Sequence, residues 1–226
     1  MHADIDFAVD RTTRQEWRVV HEYWFPPHLP TADAATHRKT FEFWFAGGAN
    51  PGLSAFADLV DAAIRQELDH WRTTPQGRLS LILLLDQFPR GLFAGRPEAY
   101  AGDAPALRLA LEGLEIGHYD ALRTPWEKTF FFMPLAHAEG PFHVRRLKRV
   151  VRLAERVAAE APPRLRPLYA FSASQPRAHL DVIRRFGRYP HRNAIFGRRS
   201  TPEELAYLAE GKLVHQRRPP EVDATG

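Results

Sequence analysis

Cysteine is absent from all 226 residues. That excludes disulfides, thiolate catalysis and Cys-ligated zinc or iron–sulfur centres, and leaves only oxygen and imidazole groups to hold a metal. Long apolar runs are missing too. The stretch Leu81–Leu85 is far shorter than the roughly 20 residues a membrane helix requires. The N-terminal Met1-His-Ala-Asp-Ile-Asp-Phe7 has acids where a signal peptide has a basic region and an apolar run. A soluble, cytoplasmic protein without membrane association is therefore expected. No GxGxxG, Walker, Gly-X-Ser-X-Gly or HExxH motif occurs, so no cofactor is expected and several enzyme classes lack their usual signature. The period-2 alternation of strands is also scarce.

What is present suits one globular core: 44% hydrophobic and 26% charged residues are ordinary for a folded domain of this length. The net charge of +4 is unevenly placed. Acids outnumber bases 19 to 13 up to residue 140. Arginine then dominates, first in Arg145, Arg146, Lys148, Arg149, Arg152 and Arg156, and again from Arg177 to Arg199. The first group reads as the solvated face of a helix. The second is denser and lies in a segment that breaks helix.

Apolar residues recur at three- and four-residue spacing between start and stop signals, which predicts an all-α protein. Capping boxes are expected at Thr13–Glu16 and Thr124–Glu127, with further starts at Thr31, Pro97, Pro141, Ser172 and Ser200-Thr-Pro-Glu203. A long helix is predicted from Phe56 to Trp71, and Leu79–Phe88, apolar all round, is expected at the centre of the fold. Stops are expected at Gly47-Gly48, near Pro134, and at Gly117, Gly187 and Gly211. Trp24, Trp44, Trp71 and Trp126 occupy core positions of helix faces. Short turns between helices imply antiparallel hairpins, packed as a tetratricopeptide-like bundle or short solenoid. No strong repeat and no linker divide the chain. One domain is expected over residues 12–213, after an N-terminal extension at 1–11 and before a disordered tail at 214–226.

Candidate chemistry falls in three places. Asp86 ends an apolar run in Leu81-Ile-Leu-Leu-Leu-Asp-Gln-Phe-Pro-Arg90, so its carboxylate needs a partner at the edge of the core, either Arg90 or an arginine of the 185–198 segment. His137-Ala-Glu139 lies at the expected break after Pro134; the His-X-Glu spacing is a weak metal signal without further ligands, and no metal site is expected. Arg185-Phe-Gly-Arg-Tyr-Pro-His-Arg-Asn193 and Phe196-Gly-Arg-Arg-Ser-Thr201 place arginines, His191 and Asn193 so close that anions must offset them, whether distant carboxylates or a bound ligand.

These motifs carry a resemblance. Leu85-Asp-Gln-Phe-Pro-Arg90, Pro134-Leu-Ala-His-Ala-Glu139, His179, the Arg185–Asn193 string and Gly197-Arg-Arg-Ser-Thr-Pro-Glu203 are similar to those of the bacterial family known as domain of unknown function 924. The resemblance runs from about Trp24 to Leu208 and implies an all-helical, tetratricopeptide-like fold without implying an activity. Gly91, Ala138 and Gly140 depart from the family pattern. The matching Asp86, Arg90, Glu139, His179, Arg188, Arg192, Asn193 and Arg198 are expected to converge on a cationic cleft that binds a small anionic ligand. His137 and His191 are the candidate acids or bases. Two rivals stand beside this reading: a scaffold for a protein partner, with the motifs as internal ties, and RNA binding through the basic 145–199 region.

Overall fold

A computed structural model describes residues 16–46, 50–211, 213, 214 and 217. The predicted extension at 1–11, the Thr13 cap, the Gly47-Gly48 stop and the predicted tail other than Val214 and Arg217 lie outside the described residues. Among the described residues every regular element is helical: α1 (Trp17–Trp24), α2 (Ala34–Phe45), α3 (Ala57–Ile64), α4 (Pro75–Ile82), α5 (Phe88–Leu92), α6 (Asp103–Glu115), α7 (His118–Ala121), α8 (Pro125–His137), α9 (His143–Glu160), α10 (Arg166–Phe186) and α11 (Pro202–Ala209). The all-α class follows from the helical periodicity. α8, α9 and α10 pack in chain order as successive hairpins, whereas α1 packs on α4 and α6 on α8, skipping elements as a bundle does.

Two capping boxes stand where the sequence puts them or one residue away. Thr124 and Glu127 form a reciprocal capping box with Pro125 in the first turn of α8. The box of α11 is Thr201 with Glu204. Gly187 and Gly211 end helices with φ of 71° and 64°. The start of α2 moves from Thr31 to Asp33, whose carboxylate accepts from the Thr36 N–H at 2.7 Å.

The helix predicted from Phe56 to Trp71 is cut short. Gln66 adopts φ 64°, the Gln66 N–H donates to Ala63 and the Glu67 N–H to Ala62, both at 3.0 Å. This is a Schellman turn with glutamine where glycine is usual, so no stop signal is visible in the sequence. Pro134 and Pro176 do not end helices either: both lie inside, in α8 and α10. The predicted Ser172 cap is therefore interior to a 21-residue helix, and α9 opens at His143, after Phe142 in a left-handed conformation, and not at Pro141.

The segment Leu79–Phe88 is buried at the centre, as its composition requires. Its second half is a π-turn, Leu83–Gln87, in which the Phe88 N–H reaches back five residues to the Leu83 carbonyl. Pro89 has no N–H to offer the Leu85 carbonyl, and Gly102 packs there instead: a Cβ on it would stand 2.1 Å from that oxygen. Trp24, Trp44, Trp71 and Trp126 are all buried in the same core, which also takes in Val214.

Candidate functional site

The π-turn turns Asp86 toward the C-terminal end of α8. His137 Nδ1 lies 2.9 and 2.8 Å from the two Asp86 carboxylate oxygens. Arg90, one turn on, donates to the Asp86 main-chain carbonyl and lies 3.3 Å from its carboxylate. Gln87 Nε2 donates to the same carboxylate. Burial would raise the Asp86 carboxyl, but Arg90 and then His137 outweigh it and hold it below the ordinary carboxylate range. An ionised Asp86 accepts the Nδ1 proton of His137, which leaves Nε2 as the free acid–base position.

This pair stands at one wall of a cavity of about 420 Å³, lined also by Arg90 and Gln87. Its other walls are mainly apolar, with Trp24, Phe41, Trp44, Phe132 and Met133 from α1, α2 and α8. α10 contributes Ser172, Gln175, Pro176 and His179. Pro176 has no N–H for the Ser172 carbonyl, so the break in the helical ladder faces the cavity. The buried Trp24 indole N–H and Gln175 Nε2 have no partner among the described residues. Arg217, stacked 5.6 Å from the Phe171 ring, also lines the cavity. Sequence reasoning missed Gln87, Ser172, Gln175 and Arg217. Gln175 and His179, four residues apart on one helix face, were the available signal.

The arginine motif is arranged differently from a single cationic cleft. Arg90 also binds Asp103 at 2.7 Å, and Arg192 reaches the other Asp103 oxygen at 3.3 Å while donating to the His137 carbonyl at 2.9 Å. The Arg192 guanidinium is sandwiched 4.5 Å from the Tyr100 ring and 4.7 Å from that of Tyr189. Arg198 pairs with Glu139, which also accepts the Tyr189 N–H at 2.7 Å. Burial would raise the Glu139 carboxyl, but these donors prevail and lower it. Arg188 grips Glu204 through two bonds of 2.7 and 2.8 Å, and Asn193 Nδ2 donates to the same carboxylate at 3.2 Å. Arg188 first among its partners brings the Glu204 carboxyl down to about 2.

Distant carboxylates thus supply the anions that the arginine cluster demands. Of the expected site residues, Arg90, His137 and His179 line the cavity, with Asp86 directly behind His137; Glu139, Arg188, His191, Arg192, Asn193 and Arg198 do not line it. His191 lies beside Tyr189, ring centroids 5.5 Å apart. At the start of α11 the capping box uses two main-chain N–H groups, since Glu204 accepts from the Thr201 N–H and Thr201 from the Glu204 N–H. The motif acts as a brace that joins the α8–α9 turn, the start of α6 and α11, with the buried Tyr189 hydroxyl donating to the Ala136 carbonyl at 2.7 Å. Among the described residues, no three of His, Asp and Glu gather to hold a metal ion, and no helix is long and apolar enough to cross a membrane.

The model of a family described as bacterial protein of unknown function (DUF924) matches residues 20–212. A solved structure of a protein of unknown function from Agrobacterium tumefaciens is similar over 86% of this chain and 97% of its own, at 33% identity and a TM-score of 0.64. No curated protein matches the chain.

Proposed function

Since the chain belongs to the DUF924 family of bacterial proteins of unknown function, we propose a function from the cavity itself: it binds a small molecule with an apolar, planar body and one anionic or acceptor-bearing end, and His137 exchanges a proton with it. The observation that carries this reading is the Asp86–His137 pair at the wall of an aromatic cavity. A volume near 420 Å³ falls within the range of small-molecule sites. The polar groups at its edges are chiefly donors: the Trp24 indole and the Gln175 amide, without acceptors among the described residues, and the Arg217 guanidinium over the Phe171 ring. Arg90 is already shared by Asp86 and Asp103, so its part is to orient Asp86. The anion is held from the α10 side.

His137 with its carboxylate behind it is suited to general acid–base work on the bound molecule or on a water beside it. Thr129, a hydroxyl lining the same wall, donates to the Pro125 carbonyl at 2.7 Å and is not a nucleophile poised on His137.

The test uses an aromatic sulfonate dye, 1-anilinonaphthalene-8-sulfonate, which has the shape and charge proposed. Saturable one-to-one binding is expected, lost in Ser172→Trp, which fills the cavity, and weakened roughly tenfold in Arg217→Ala, the loss of one charge-assisted bond. Equal binding by wild type and a folded Ser172→Trp protein would remove the cavity as the site.

A further inference from the structure

A second, shallower cavity of about 260 Å³ lies where α7 meets α9, and it shares no lining residue with the first. Arg149, Arg152 and Arg156 border it, three and four residues apart and so on one face of α9 across about 10 Å. None of the three has a carboxylate partner among the described residues. The acids of the same helix are engaged elsewhere, Glu155 with Arg177 and Glu160 with Lys128. Asp120 at the rim is the one carboxylate in the lining, so positive charge is in excess.

Tyr119 forms the inner wall. It is 2% exposed, and its hydroxyl has no hydrogen-bond partner among the described residues. A buried hydroxyl is rarely left so, because the unmade bond is costly. Burial above all keeps the phenol protonated, so it offers a donor. Lys128, 5.7 Å from the centre of the Tyr119 ring, fixes that ring from its face.

We propose that Tyr119, Arg149, Arg152 and Arg156 form a binding site for a phosphate-type oxyanion carried by a small molecule, with the guanidinia gripping its oxygens and the Tyr119 hydroxyl donating to the innermost one. Forked guanidinium donors suit tetrahedral oxyanions, and two turns of helix match the reach of a diphosphate group.

Inorganic pyrophosphate is the probe, titrated into the full-length protein at low salt and followed by calorimetry. One site is expected, weakened at least roughly tenfold in Arg152→Gln/Arg156→Gln, where both side chains are exposed and the fold is not at stake. Tyr119→Phe is the sharper variant: it should weaken pyrophosphate while leaving the melting temperature unchanged or raised, since the hydroxyl removed makes no bond among the described residues. No pyrophosphate binding, or unchanged binding in either variant, overturns the site, as does a lower melting temperature in Tyr119→Phe. A single-stranded RNA that binds without competition from pyrophosphate, and that needs Arg145 and Lys148 equally, overturns it in favour of an extended nucleic-acid face.

Discussion

His137 Nδ1 lies 2.8 Å from the carboxylate of Asp86, a residue with no solvent exposure, although 51 positions separate the two in the chain. An ionised Asp86 requires the proton of a neutral His137 on Nδ1, the less common imidazole tautomer in solution. Two-bond nitrogen–proton correlation spectra of the imidazole should show it. In Asp86→Asn the amide can turn its NH2 toward Nδ1, and the proton should move to Nε2. A wild-type His137 protonated on Nε2 alone would end its assignment as an acid–base group facing the cavity. Asp86→Asn should also destabilise the fold in urea titrations, by less than the about 3–5 kcal/mol of a fully broken buried pair, because Arg90 loses one carboxylate and keeps Asp103.

Arg192 gives a second outcome. Its motif makes Arg192 one of the residues expected to hold an anionic ligand. The structure places Arg192 5% exposed between two tyrosine rings, bonded to Asp103 and to the His137 carbonyl. Arg192→Ala should therefore cost about 3–5 kcal/mol of stability. Arg188→Ala, at the more exposed end of its pair with Glu204, should cost less. Equal and negligible losses in both would show that the arginines are spare charge.

The difference between these expectations marks what was legible in the sequence. Helix caps depend on neighbours three residues away, so Thr124–Glu127 and Gly187 were readable as local chemistry. The need of Asp86 for a cation and of the arginines for anions was readable as well. Which carboxylate answers which arginine was not: Asp103 opens a helix and Glu204 completes a capping box, and neither local role hints at a second partner. Pro134 misled for a related reason, since burial on packed neighbours sustains α8 across one missing bond. The brace and the cavity are tertiary facts. The motif string that looked most like a site holds the structure behind it.

Acidification should unfold the protein in two stages. His37 and His143 are buried, and burial above all lowers both to about 4. The unfolded chain takes up their protons near pH 6.5, before the folded one does, so their contribution is complete above that pH and falls as the pH drops toward 4. Each contributes at most about 3 kcal/mol. Glu204, held near 2 by Arg188, and the lowered Asp86 and Glu139 contribute above the ordinary carboxylate range and lose it as pH falls from about 4.5 toward 2. Urea midpoints from pH 8 to pH 3 should decline first below 6.5 and again below 4.5. A flat profile between 6.5 and 4.5 would mean that the two imidazoles are not held neutral.

Gly102 connects packing to the site. Its missing side chain lets α6 begin against the Leu85 carbonyl, where a Cβ would stand only 2.1 Å away. Backbone meets backbone at that point, so no side chain can move aside. Gly102→Ala must shift either the start of α6, with Asp103, or the π-turn, with Asp86, and those are the two acids that share Arg90. A loss of about 1–3 kcal/mol is expected from overpacking. The informative readout is His137: its imidazole nitrogen shifts should change in Gly102→Ala although residue 102 does not line the cavity. Unchanged His137 shifts with full loss of stability would show that α6 yields and that the π-turn alone fixes Asp86.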